Sequence, residues 1–161
     1  MKRRFRLEVG LVLLIFASPF LPCQQLMVQT DAGKQTLSRA DLEALPRVRV
    51  TASEHGSLPV SFEGVALKSV LEKAGVTFGE SMRGKRLTNC LLVEAADGYR
   101  VVIALPELDP AFTDKQTVLA YLRDGKPLGE KEGPYRIVIP DEKRMARWVR
   151  QVTRLKIVNV Q

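Results

Sequence analysis

The 161-residue sequence predicts an α+β fold: one strand-rich, mixed-sheet domain with two short helices. Three observations carry that expectation. Turn signatures between apolar runs recur at Asp31-Ala32-Gly33, Ala96-Asp97-Gly98 and Asp124-Gly125, which is hairpin chemistry. Arg47-Val48-Arg49-Val50-Thr51 alternates strictly, as a half-exposed strand does. Helical spacing occurs only in two short stretches, so strands dominate.

The first segment lies outside this domain. Lys2, Arg3, Arg4 and Arg6 precede an apolar run from Val9 to Leu21 that Ser18-Pro19 interrupts. A basic start, a short apolar centre and polar Gln24-Gln25 predict a secretory signal peptide over residues 1–23 and a single domain over residues 24–161. The run falls short of the ~20 apolar residues of a membrane-spanning helix. The mature chain is therefore expected in the periplasm or secreted, with no membrane span after cleavage. Arg3-Arg4 matches a twin-arginine signal loosely, and Cys23 leaves lipidation open although Leu21-Pro22 departs from the small residues that favour it.

Within the domain, Leu26-Met27-Val28 and Gln35-Thr36-Leu37 flank the first turn as strands. Ser38 caps a short helix from Arg39 to Leu45, with Asp41 at its third position and Pro46 ending it. The strand Arg47–Ala52 follows. Val60-Ser61-Phe62 alternates again, and Glu63-Gly64 is expected to turn the chain into a second helix, Val65 to Ala74. There Leu67, Val70, Leu71 and Ala74 share one apolar face, and Gly75 closes the end.

Leu87–Ala95 and Tyr99–Ala104 read as a hairpin, and Pro106–Pro110 as a loop or single helical turn. Val118–Leu122 and the apolar Ile137-Val138-Ile139 are expected strands, the second short enough to be buried on both faces. A last strand is expected from Trp148 to Val158.

Charge and cysteines narrow the function classes. Losing Lys2, Arg3, Arg4, Arg6 and Glu8 lowers the formal net charge from +7 to +4, a mild excess. Lys143, Arg144, Arg147, Arg150, Arg154 and Lys156 concentrate near the C-terminus, either as a solvated face or as a positive rim that attracts an anion. Nucleic acid does not suit an exported chain with so few aromatics. Cys90 alone remains after residue 23, so an internal disulfide is excluded and a buried, inert thiol is expected.

Candidate chemistry centres on Ser53-Glu54-His55-Gly56, which holds the chain's one histidine beside a carboxylate. A lone His–Glu pair is not a closed metal site; Asp97, Asp109 or Asp114 would have to converge on it. The other reading of His55 is a loop histidine bonded to its neighbours. No Gly-x-Ser-x-Gly turn, Gly-x-Gly-x-x-Gly or Gly-Lys-[Ser/Thr] occurs, which removes nucleophile-elbow, dinucleotide and P-loop readings. Asp97-Gly98-Tyr99 reads as a tight turn, and Gly133-Pro134-Tyr135-Arg136 as a turn leading into a buried strand.

The order Asp97-Gly98-Tyr99-Arg100, Leu119-Ala120-Tyr121, Gly133-Pro134-Tyr135-Arg136 and Trp148-Val149-Arg150 resembles the oxidoreductase molybdopterin-binding domain of the sulfite oxidase family, from Gln35 to Ile157. The resemblance implies a strand-rich, barrel-like domain of that family. It also implies a mouth, here Ser53, Glu54, His55, Tyr99 and Arg136, at which an anion or cofactor is held, with Arg136 as an anion contact. In that family a cysteine from the earlier loop ligates molybdenum. Here the loop after Arg47–Ala52 carries none, so no cofactor is expected and molybdopterin enters only through the resemblance.

Two functions follow. The first is a binding module without molybdenum that takes a small anionic ligand or an envelope protein partner. The alternative is a molybdopterin-dependent oxidoreductase with an atypical metal ligand set.

Overall fold

In the computed structural model, residues 25–54, 56–140 and 142–160 are described. The expected signal segment and His55 lie outside these residues. Ten strands form two sheets, with two α-helices and four 3-10 turns between them.

The first sheet holds β1 (Leu26–Thr30), β2 (Gly33–Leu37), β5 (Cys90–Ala95), β6 (Arg100–Ala104) and β10 (Val152–Val158) in the order β2-β1-β10-β5-β6. β1 and β10 run parallel while every other pair in it is antiparallel, so the sheet is mixed. The second sheet is antiparallel. It orders β3 (Arg47–Ala52), β4 (Val60–Ala66) and β7 (Val118–Arg123), whose far edge takes β8 (Lys126–Pro127) and β9 (Arg136–Val138) end to end.

One face of each of β1, β5 and β10, the inner strands of the first sheet, points inward. Leu26 and Val28, Leu91 and Val93, and Val152, Leu155 and Ile157 join Val50, Phe62 and Val65 in one apolar cluster that both sheets share. β9 is buried throughout, as its apolar run predicts.

Helix α1 (Arg39–Glu43) starts at a reciprocal cap. The Ser38 hydroxyl accepts from the Asp41 amide at 3.2 Å, while Asp41 accepts from the Ser38 amide at 2.9 Å. Helix α2 (Leu67–Lys73) has no side-chain cap. Its first amide, on Leu67, instead donates to the Thr117 carbonyl at 2.9 Å, a partner that sequence spacing does not reveal. At its far end Gly75 adopts φ +89°, and the amides of Gly75 and Val76 donate to the Glu72 and Leu71 carbonyls.

Three elements differ from expectation. The chain does not turn at Glu63-Gly64: β4 continues to Ala66, with a register shift there against β7. Burying the Glu63 carboxylate in a strand is tolerated because Arg49, directly opposite on β3, donates to it at 3.0 Å. Leu87 and Thr88 belong to a 3-10 turn, Gly84–Thr88, ahead of β5. Trp148 precedes the last strand rather than opening it, since a 3-10 turn at Met145–Arg147 and the left-handed Gln151 bend the chain first.

Asp109 shows how the long connections are tied down. Its buried carboxylate accepts from the Gly79 amide at 2.5 Å and the Ala111 amide at 3.1 Å. Burial pushes this carboxyl up, but the two amide donors and the charge of Lys68 outweigh that and hold it below its ordinary value. Asp109→Ala is expected to cost about 1–3 kcal/mol by orphaning both amides. A urea midpoint equal to that of the wild type would refute this account.

Candidate functional site

One end of the domain opens into a cavity of about 760 Å³. Four segments wall it: the β3–β4 loop through Ser53 and Gly56, the β5–β6 turn through Ala95, Asp97 and Tyr99, Lys131 with Arg136, and the Glu142–Gln151 stretch before β10. Its volume matches that of ordinary small-ligand sites.

The β5–β6 turn is held in place by its own chemistry. Gly98 takes φ +86°, the Asp97 carboxylate accepts from the Tyr99 amide at 2.9 Å, and the Tyr99 hydroxyl donates to the Ala146 carbonyl at 2.7 Å. Tyr99 thereby ties the hairpin to the Met145–Arg147 turn. Trp148 packs edge-on to Phe62, with ring centroids 6.1 Å apart, and donates its indole N–H to the Ile139 carbonyl at 3.0 Å. The apolar part of the wall is therefore rigid.

Charge is unevenly spread around the mouth. Lys131, Lys143, Arg144 and Arg150 all line the cavity, are exposed, and carry no ion pair among the described residues. The basic C-terminal residues thus divide by role. Lys143, Arg144 and Arg150 face this opening, Arg147 pairs with Glu107 at 3.0 Å and with Glu142, and Arg154 pairs with Glu94 at 3.0 Å.

Beneath the rim lies a four-charge network built around the buried Arg136. Arg136 is 1% exposed and donates to Glu54 through Nη2 and to Glu132 through Nη1 at 3.1 Å. Arg123 contacts the same two carboxylates at 2.8 and 2.9 Å. Two cations and two carboxylates balance, which is the condition under which such burial is tolerable. Burial pushes the Glu54 carboxyl up, but the hydrogen bond from Arg136 and the charges of Arg136, Arg123 and Arg150 hold it below its usual value. Arg136 Nε and Glu142 Oε2 remain buried without a partner among the described residues.

Of the five residues named from sequence, Ser53, Tyr99 and Arg136 line the cavity. Glu54 sits behind them, paired to Arg136, and His55 lies outside the described residues. Sequence reading missed Lys131, Glu132 and Arg123. Glu132 and Arg136 are four apart, but they flank a turn rather than share a helix, so no periodicity marks them.

A family model, the oxidoreductase molybdopterin binding domain, matches residues 24–161. The chain belongs to this family. Among solved structures, the domain is similar to the sulfane dehydrogenase SoxCD from Paracoccus pantotrophus, with a TM-score of 0.64 and 22% identity. The match covers 85% of this chain and 38% of that one, so the domain spans well under half the length of that relative. At that identity the likeness shows the fold alone. No curated protein matches the chain.

Family membership implies a molybdopterin site, and the side chains test it. Among the described residues Cys90 is the one cysteine. It opens β5, opposite Ala104 and Val158, whereas the cavity lies beyond Ala95 at the other end of that strand. Five strand residues separate the two by about 17 Å. The half-buried Cys90 thiol donates to the Val158 carbonyl at 3.7 Å instead. No three His, Cys, Asp or Glu side chains converge among the described residues, including Asp97, Asp109 and Asp114. The residues present therefore do not fit molybdenum held through a thiolate.

Proposed function

We propose that this molybdopterin-domain member is an exported anion-binding module that operates without thiolate-bound molybdenum. One observation carries the reading: four exposed cations with no ion pair among the described residues, Lys131, Lys143, Arg144 and Arg150, line one cavity that no cysteine among those residues reaches. The lining also holds the Asp97 and Glu142 carboxylates, but the cations outnumber them, and a net positive opening concentrates anions. Guanidinium groups add paired donors that suit carboxylate and phosphate oxygens. The basic, apolar N-terminal segment supports export of the domain.

The test is calorimetry of the mature protein with pyrophosphate, paired with metal and pterin analysis after expression in a host that makes molybdenum cofactor. Saturable one-to-one binding is expected, weakening as salt is added. The double variant Arg144→Ser/Arg150→Ser is expected to lose at least about tenfold in affinity. Absence of pyrophosphate binding overturns the small-anion reading and leaves an acidic protein partner for the rim. Stoichiometric molybdenum overturns the cofactor-free reading. It would favour the second one, a molybdopterin-dependent oxidoreductase with an atypical ligand set, which the family match supports.

A further inference from the structure

The Arg136 guanidinium is an unusual thing to find in a cavity wall. It is 1% exposed, lies 5.3 Å from the Phe62 ring and 5.5 Å from the Trp148 ring, and lines the cavity that the rim cations surround. Two of its three nitrogens are satisfied by Glu54 and Glu132, while Nε is buried without a partner among the described residues. A buried donor left over in a cavity wall marks a place where a ligand atom completes the set.

The two carboxylates are held differently. Glu132 is anchored within its own turn: its amide donates to the Gly129 carbonyl at 2.9 Å, and its carbonyl accepts from the Gln151 amide at 2.9 Å. Glu54 stands on the β3–β4 loop, whose Ser53, Gly56, Ser57 and Leu58 are all exposed. That loop is braced chiefly by its own bonds, the Ser57 amide to the Glu54 carbonyl at 2.7 Å and the Glu54 amide to the Ser57 hydroxyl at 3.3 Å. Glu54 is thus the partner that can leave.

We propose that Glu54 is an internal stand-in for the ligand's anionic group, and that a bound oxyanion takes the Arg136 guanidinium by displacing the Glu54 carboxylate. This rests on the anion-binding reading above and adds its selectivity. An incoming group must outcompete a carboxylate already held by two arginines, so a single weak charge is rejected. An organic oxyanion with several charges pairs with the rim and with Arg136 together. Met145, Trp148 and Val149 in the wall accommodate its apolar part.

Pyrophosphate affinity of wild type, Glu54→Gln and Glu72→Gln tests this. Glu72 pairs with Lys68 within α2 and does not line the cavity, so its variant controls for lost negative charge. Glu54→Gln is expected to bind at least about tenfold more tightly, and Glu72→Gln within about twofold of wild type. Binding by Glu54→Gln alone, with none by wild type, overturns both, because wild type then takes no small anion for Glu54 to stand in for.

Wild-type binding with no gain in Glu54→Gln, or an equal gain in both variants, overturns the displacement and leaves the anion-binding reading intact. No binding by any of the three overturns both. Hydrogen exchange of wild type provides a readout that needs no variant to fold. Pyrophosphate is expected to speed exchange at the Ser57 amide, and unchanged or slower exchange there overturns the displacement.

Discussion

Gly64→Ala is expected to destabilise the domain severely. A Cβ built on Gly64 would stand 2.0 Å from the Leu119 carbonyl oxygen and 2.6 Å from the Ala120 Cα, which is backbone on the neighbouring strand β7. No side-chain rotation relieves a backbone clash. Either β4 and β7 separate, which breaks the pairing at the centre of the second sheet, or the register shift between Glu63 and Gly64 moves elsewhere. Ordinary overpacking costs about 1–3 kcal/mol, and a backbone collision inside a sheet belongs at or beyond the upper end of that range. Against a typical domain stability of about 5–15 kcal/mol, that is a large share of the folding free energy. Circular dichroism with urea titration checks it: a midpoint within error of wild type would show that β4 accommodates the methyl. Gly133, whose Cβ would sit 3.1 Å from the Leu128 carbonyl oxygen, is a milder contrast.

Arg136→Met is expected to cost about 3–5 kcal/mol, because it strands two carboxylates rather than removing one contact. Methionine fills much of the space between Phe62 and Trp148, so the loss is chiefly electrostatic. Glu54 and Glu132 would then share Arg123 alone, at 2.8 and 2.9 Å. The double variant Arg136→Met/Glu54→Gln tests that cause. Removing one stranded charge is expected to recover part of the loss, giving a double variant more stable than the sum of the single losses predicts. Simple additivity would mean that packing, not charge, holds Arg136 in place.

The same network sets a pH dependence. Glu54 has a folded-state pKa below its ordinary value. Its contribution is therefore fully present above the unfolded glutamate value of about 4.3, and is lost as pH falls through the lower folded value. Wild type is expected to lose stability across that acidic window, and Arg136→Met to lose less over the same span. Parallel acid limbs would contradict the assignment to Glu54.

Much of the architecture was readable from residues alone because its causes are local. Asp97-Gly98 specifies the β5–β6 turn through its positive φ, and Ser38 with Asp41 specifies the start of α1 through a cap three residues long. The β4–α2 boundary was not readable, for two reasons outside the segment. Gly64 looks like a turn residue but is required by the close approach of β7, and α2 is capped by the distant Thr117 carbonyl. The strand expected to open at Trp148 starts only at Val152, since the bend at Gln151 follows from tertiary contacts.

The candidate site divides in the same way. Sequence by itself determined the strand-rich class, the family and the absence of a cysteine from the Ser53–Gly56 loop, because residue identity and order are enough for each. Tertiary structure alone decided that Lys131, Lys143, Arg144 and Arg150 surround one cavity, and that Glu54 and Glu132 neutralise Arg136 within it. Glu54 and Arg136 lie 82 residues apart in the chain, and charge pairing depends on separation in space, which no local pattern encodes.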